Sequence, residues 1–293
     1  MTSGIRGVTK AGILFFVAGV VSALAEPRAG VELAKEHYNR TDYEAALKVL
    51  AQIPEKTDAI YSLIGRSHYM LADYKRASEA FEKAVGSDPQ KADYWHWLGR
   101  AYGRRAETSS PFTAPRLAGK ARQAFEEAVE LDPKDVEAMN DLLEYYLQAP
   151  GFLGGGLDKA SNLAGRIAQL DPVEGHYAMA RLAEQQKEFH TAESQLRRAV
   201  DLAPQQVGRA IDLAKFLAKR GRYGESDQVF AHADKVAPNS PKVMFGRAQT
   251  YVETKRNLEL ARRLLKSYLG SSLTPDDPPR WEAEKLLKQV SGG

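Results

Sequence analysis

The chain has 293 residues, 43% of them hydrophobic, and a formal net charge of +3. That content is enough for one extended core or two compact ones, and aromatics occur in every region, which excludes wholesale disorder. No cysteine is present, so disulfides and cysteine–histidine zinc sites are excluded and stability must come from packing.

Residues 1–10 carry Arg6 and Lys10 and no acid. Residues 11–24 form an apolar run that includes Ile13, Leu14, Phe15, Phe16 and Val17. It closes on Ala23-Leu24-Ala25, a small-x-small pattern, and Glu26-Pro27 is expected to stop any helix there. These three parts read as a secretory signal peptide over 1–25, cleaved after Ala25. The run is shorter than the roughly 20 residues that span a bilayer. The mature protein is therefore expected to be periplasmic or secreted, with no membrane span. Removing the two basic residues of the leader from the 41 present leaves 39 against 38 acidic ones, a net of +1. Bulk charge then gives no support to a nucleic acid partner.

After the leader one pattern recurs. Ile64-Gly65-Arg66-Ser67-His68 is followed by Tyr74, Ala77, Phe81, Ala84 and Asp88-Pro89. Leu98-Gly99-Arg100-Ala101-Tyr102 is followed by Ala121, Phe125, Ala128 and Asp132-Pro133. The skeleton returns through Phe189, Ala192, Leu196, Ala199 and Pro204, and again through Tyr223, Phe230, Ala233 and Pro238, with 34 residues between the last two prolines. Each unit carries two apolar stripes at helical spacing. Alanines sit where helices approach closely, Phe or Leu fills the gap between units, and the proline stops the second helix. A fixed period of two helices per unit predicts a stacked solenoid with an extended concave surface.

We divide the chain into seven units: 27–57, 58–91, 92–135, 136–172, 173–206, 207–240 and 241–275. Residues 276–293, with Trp281, Ala283, Leu286, Leu287 and Val290 at helical spacing after Pro278-Pro279, read as a capping helix. The first unit, with Tyr43, Ala46 and Leu50 as its anchors, is short, as terminal repeats often are.

Gly65 or Gly99, an aromatic such as Tyr102, a Tyr or Phe opening the second helix, Ala77, Ala84 and the closing proline together resemble the tetratricopeptide repeat (TPR) family, over about 26–275. The resemblance implies an all-α, right-handed superhelical array of about seven helix-turn-helix units. It implies a non-catalytic interaction scaffold or adaptor of the bacterial cell envelope that holds a partner peptide or protein in its groove.

Two units depart from the period. Tyr102 to Ala121 spans 19 residues, against 9 from His68 to Ala77, which places an insertion at about 104–120 around Pro111-Phe112-Thr113-Ala114-Pro115. The next unit has a glycine-rich connection at 149–159 that contains Phe152 and Leu153. The two insertions are expected to touch. Phe112, Phe152 and Leu153 then either form a partner epitope or pack on one another. Gly154-Gly155-Gly156 lacks the Lys-Ser/Thr ending of a phosphate-binding loop.

Within TPR-like units the ninth position of the first helix faces the groove. It reads Lys35, Arg66, Arg100, Glu144, Arg181, Lys215 and Gln249, five of them basic. Tyr69, Trp97 and Tyr177 lie beside it. This line suits an acidic peptide or a C-terminal carboxylate. The alternatives are a solvated face balanced by Asp93, Glu137, Asp141, Glu144, Glu174, Glu184 and Asp212, or a central cavity for a small anionic ligand or glycan lined by Arg66, Trp97, Arg100 and Arg181. Absence of Asn at these positions argues against the lysine–asparagine clamp of chaperone-binding relatives. The six histidines show no metal-binding spacing, and no nucleophile elbow occurs. No catalytic residue, cofactor or metal is expected, and a capped array implies a monomer.

Overall fold

A computed structural model describes residues 17–291. All its regular elements are helical: α1 (Val17–Asn39), α2 (Tyr43–Gln52), α3 (Asp58–Met70), α4 (Tyr74–Ser87), α5 (Ala92–Glu107), α6 (Ala114–Leu131), α7 (Val136–Gln148), α8 (Leu157–Leu170), α9 (Pro172–Gln185), α10 (Phe189–Leu202), α11 (Val207–Lys219), α12 (Tyr223–Val236), α13 (Pro241–Glu253), α14 (Leu258–Leu269) and α15 (Arg280–Ser291). Consecutive helices from α1 to α14 pair as antiparallel hairpins that stack in chain order into a solenoid. The odd-numbered helices also touch one another along one side, which makes them the inner layer.

Five hairpins close in the same way. Thr41, Ala72, Lys187, Gly221 and Lys255 take left-handed φ values of 59°, 61°, 63°, 75° and 53°. The amide that follows each one reaches back to the last turn of the preceding helix, for example Asp73 to His68 O at 2.9 Å and Arg222 to Leu217 O at 2.9 Å. This is the Schellman way of satisfying carbonyls at a helix C-terminus. Asp42 and Asp73 then cap α2 and α4 by accepting from Ala45 N and Arg76 N, each at 3.1 Å.

Hairpins pack through the recurring small and large residues. Phe81 lies over Gly65, and Phe125 over Gly99, so closely that a Cβ on either glycine would fall 2.7 or 2.5 Å from the ring. Ala77, Ala84, Ala121 and Ala128 have no exposed surface. Buried residues form one cluster running from α4 to α9 and smaller ones before and after it. Ala283 of α15 closes the far end against Phe245, Tyr251 and Tyr268.

Three features differ from expectation. Helix α1 runs through Glu26-Pro27 without a break; Pro27 removes one amide donor, and the rest of the ladder continues. The greater part of the leader, 1–16, lies outside the described residues. The extra residues at 104–120 lengthen α5 and α6 to 16 and 18 residues rather than forming a long loop, since Pro115 fits the first turn of a helix. The glycine-rich connection makes a 3₁₀ turn at Gly151–Leu153 that packs on α6. Left-handed Gly154, φ 89°, ends that turn, and Gly156 N donates to Tyr146 O at 2.9 Å.

Candidate functional site

The inner helices are joined by a ladder of polar side chains. Arg66 on α3 gives one terminal nitrogen to both oxygens of Asp93 on α5, at 2.7 and 2.6 Å. Arg100 on α5 meets Glu137 at 3.1 Å and Asp141 at 3.2 Å, both on α7. Asn140 on α7 donates to Glu174 on α9 at 2.8 Å. Arg181 on α9 turns back to Glu144 on α7. Arg209 on α11 lies 3.5 Å from Glu174, and Lys215 donates to Gln249 on α13 at 2.9 Å. Four of the five basic residues at the ninth position, Arg66, Arg100, Arg181 and Lys215, therefore hold neighbouring units in register. Five of the seven carboxylates of the balancing set, Asp93, Glu137, Asp141, Glu144 and Glu184, pair with the arginines among them, while Glu174 and Asp212 pair with Arg209.

Arg66, Tyr69, Trp97 and Arg100 converge on a cavity of about 650 Å³. The Arg66 and Arg100 guanidinium carbons each lie 4.7 Å from the Trp97 ring centre. Tyr69 packs edge-on against Trp97 and Tyr74, at 5.4 and 5.3 Å. Burial pushes the Tyr69 hydroxyl up to about 12 against the opposing pull of Arg100 and Arg104. Buried His96 is held by Asp141 at 2.8 Å. Arg104 donates to Glu107 at 2.5 Å and to the Tyr74 hydroxyl at 3.3 Å.

The opposite wall comes from far along the chain: Lys242, the stretch 275–279 and Glu282. That stretch is braced locally. Asp277 accepts from Thr274 N and Oγ1, each at 2.9 Å, Tyr268 donates to Pro278 O, and Arg280 donates to Leu269 O at 2.7 Å. Glu282 comes within 4.0 Å of Arg104 across the space. Burial pushes its carboxyl above the usual range, while Arg104 and Lys285 draw it back. Sequence reasoning missed this wall, because 276–293 read only as a capping helix and nothing at the repeat spacing marks it.

The remaining residues named from the sequence lie elsewhere. Arg181 and Lys215 line a separate cavity of about 200 Å³ with Tyr177 and Asp212. There burial raises the Asp212 carboxyl. Arg66, Trp97, Arg100 and Arg181 thus do not share one pocket. Lys35 is exposed and pairs with Glu32 at 2.8 Å. Phe112 and Phe152 are 95% and 84% exposed, so they do not bury each other, and Leu153 is partly buried with its carbonyl accepting from Tyr145 at 2.9 Å. Phe112 follows Pro111, and Phe152 follows Pro150-Gly151, each in the connector of its hairpin.

Among the described residues no cluster of three metal-ligating side chains occurs, and no helix is long and apolar enough to cross a membrane.

Two segments match family models described as tetratricopeptide repeat, 62–106 and 173–206. No curated relative matches the chain. Among solved structures, a tetratricopeptide repeat protein of Parabacteroides merdae is similar over 90% of this chain and 98% of its own, at 12% identity and a TM-score of 0.57. A thermophilic TPR protein of Thermus thermophilus covers 68% of this chain and 98% of its own, at 18% identity and a TM-score of 0.52.

Proposed function

Because the chain belongs to the tetratricopeptide repeat family, we propose that it is a non-catalytic scaffold that holds a segment of a partner protein between its inner helices and its C-terminal end. The cavity of about 650 Å³, walled by α3 and α5 on one side and by 275–282 on the other, carries this reading. Its size fits a few side chains of an extended peptide, and its walls are braced, by inter-unit ion pairs on the side of α3 and α5 and by local hydrogen bonds at 274–280. The reading as a pocket for a small anionic molecule is weakened, since the charges of Arg66 and Arg100 are already matched by Asp93, Glu137 and Asp141. The leader pattern at 1–25 supports export to the envelope, and the capping of the last unit by α15 supports a monomer. Mass spectrometry of the mature protein should then show Glu26 as the first residue.

The chain contains no cysteine, so a single substitution gives a single attachment point. A benzophenone placed through Lys242→Cys at the cavity rim should crosslink a partner from the envelope fraction. One placed through Ser87→Cys on exposed α4 should not. Equal adducts from both positions, or none from Lys242→Cys, would sink the assignment.

A further inference from the structure

Resting on that reading, the charge of the cavity says more about its occupant, and it reverses the sign expected from the sequence. Six carboxylates line the space against four cations. Three of the cations are consumed: Arg66 by Asp93, Arg100 by Glu137 and Asp141, and Arg104 by Glu107. Among the described residues the fourth, Lys242, has no carboxylate partner, but it is exposed at the rim. The carboxylates are not consumed in the same measure. Asp276 has no ion-pair partner among the described residues, and Glu282 finds its nearest cation, Arg104, at 4.0 Å. Both belong to the wall that faces α3 and α5, where Tyr69 and Trp97 supply apolar surface beside the charge.

We infer that the cavity receives a cationic side chain, a lysine or arginine of the bound segment, with its aliphatic stem along Tyr69 and Trp97 and its charged head between Asp276 and Glu282. Three physical points support the assignment. An acidic peptide would meet a lining with two more carboxylates than cations, and its own charge would have to displace existing arginine–carboxylate bonds. A lysine or arginine needs no such displacement, because its long methylene stem covers apolar surface while its head reaches a carboxylate. Glu282 is also held above the usual carboxylate range by burial, against the pull of Arg104 at 4.0 Å; a cation in direct contact adds counter-charge at closer range.

The test is selection of a random twelve-residue peptide library, displayed on phage, against the full chain. Selected peptides are then titrated by fluorescence anisotropy and crosslinked through the Lys242→Cys benzophenone. Enriched sequences should carry Lys or Arg, crosslink at position 242, and bind the Asp276→Asn/Glu282→Gln variant about tenfold or more weakly, the cost of losing charge-assisted hydrogen bonds. Both substitutions keep size and shape, and an unchanged melting curve shows that the variant is folded. Peptides that crosslink at 242 but are acidic or uncharged, or that bind the variant undiminished, would overturn the cationic assignment and leave the groove standing. If no selected peptide crosslinks at 242, the groove reading itself falls and takes this inference with it.

Discussion

Arg181 on α9 presents one edge of its guanidinium to Glu144 on α7, with Nε at 2.6 Å from Oε1 and Nη2 at 2.9 Å from Oε2. The pair is about three-quarters buried and joins the inner helices of two successive units. It is the most fully formed rung of the ladder, since the planar fork of arginine matches a carboxylate at both oxygens.

Arg181→Gln is accordingly expected to lower stability by about 1–3 kcal/mol, because it strands Glu144 away from its counter-charge. Arg181→Lys should recover only part of this, since an ammonium cannot bridge both oxygens. Urea denaturation of both variants and of Glu144→Gln, arranged as a double-mutant cycle, measures the coupling. A coupling near zero would show the rung to be ornamental.

Gly65→Ala should cost about 1–3 kcal/mol by overpacking, as the new methyl meets the Phe81 ring at 2.7 Å. Phe81→Leu in the same chain should return part of the loss, since the obstacle is the ring. Non-additivity of the two melting shifts is the readout. Gly99 and Phe125, with a 2.5 Å approach, should behave in the same way.

Ala72 sits at φ 61° in a connector where another unit has Gly221 at 75°. Ala72→Gly is expected to stabilise the chain by about 0.5–1 kcal/mol, because relief of left-handed strain exceeds the extra entropy that glycine loses on folding. Gly221→Ala should destabilise by a similar amount. Opposite signs in thermal unfolding would support the shared connector geometry, and equal signs would refute it.

Alkaline pH should unfold the array. Burial raises Tyr69 from 10.0 to about 12, and it raises Tyr43, Tyr94, Tyr102, Tyr146, Tyr177 and Tyr268 further. A hydroxyl that holds its proton more tightly when folded contributes stability that is complete below pH 10. That contribution is lost as pH rises through the folded value. Absorbance at the phenolate band and helical circular dichroism should therefore change together from pH 10 upward. Phenolate formation well before loss of helix would contradict this.

Phe112→Ser and Phe152→Ser should leave the melting temperature unchanged, within about 0.5 kcal/mol, since neither ring is packed. If the two hairpin tips belong to the partner interface, crosslinking yield from the rim should fall for both variants while stability holds.

The packing framework was legible because Ala77, Phe81, Ala121 and Phe125 recur at the same place in each unit, and helix contacts demand the same sizes each time. The connectors were less so, as Ala72 and Lys187 carry a left-handed conformation that composition does not mark. Arg66, Arg100, Arg181 and Lys215 of the ninth position join neighbouring units, whereas the sequence reading counted these cations as available. Their partners Asp93, Glu137 and Glu144 lie on neighbouring helices, and which carboxylate meets which arginine depends on the rotation between units. The second wall was beyond reach of the sequence. Lys242, Asp276 and Glu282 approach Arg66 and Arg104 through the curvature of the whole stack, a property that accumulates over units and appears in no single one.

That second wall has a consequence in time. Repeats fold as local units that need only their neighbours, so the hairpins that carry Arg66 and Arg100 are able to pair before residues 275–282 have docked. A partly folded or truncated chain then displays a well-ordered ladder and an open trough, with no opposing surface. The cavity is therefore completed last, once every unit between α5 and α15 has stacked.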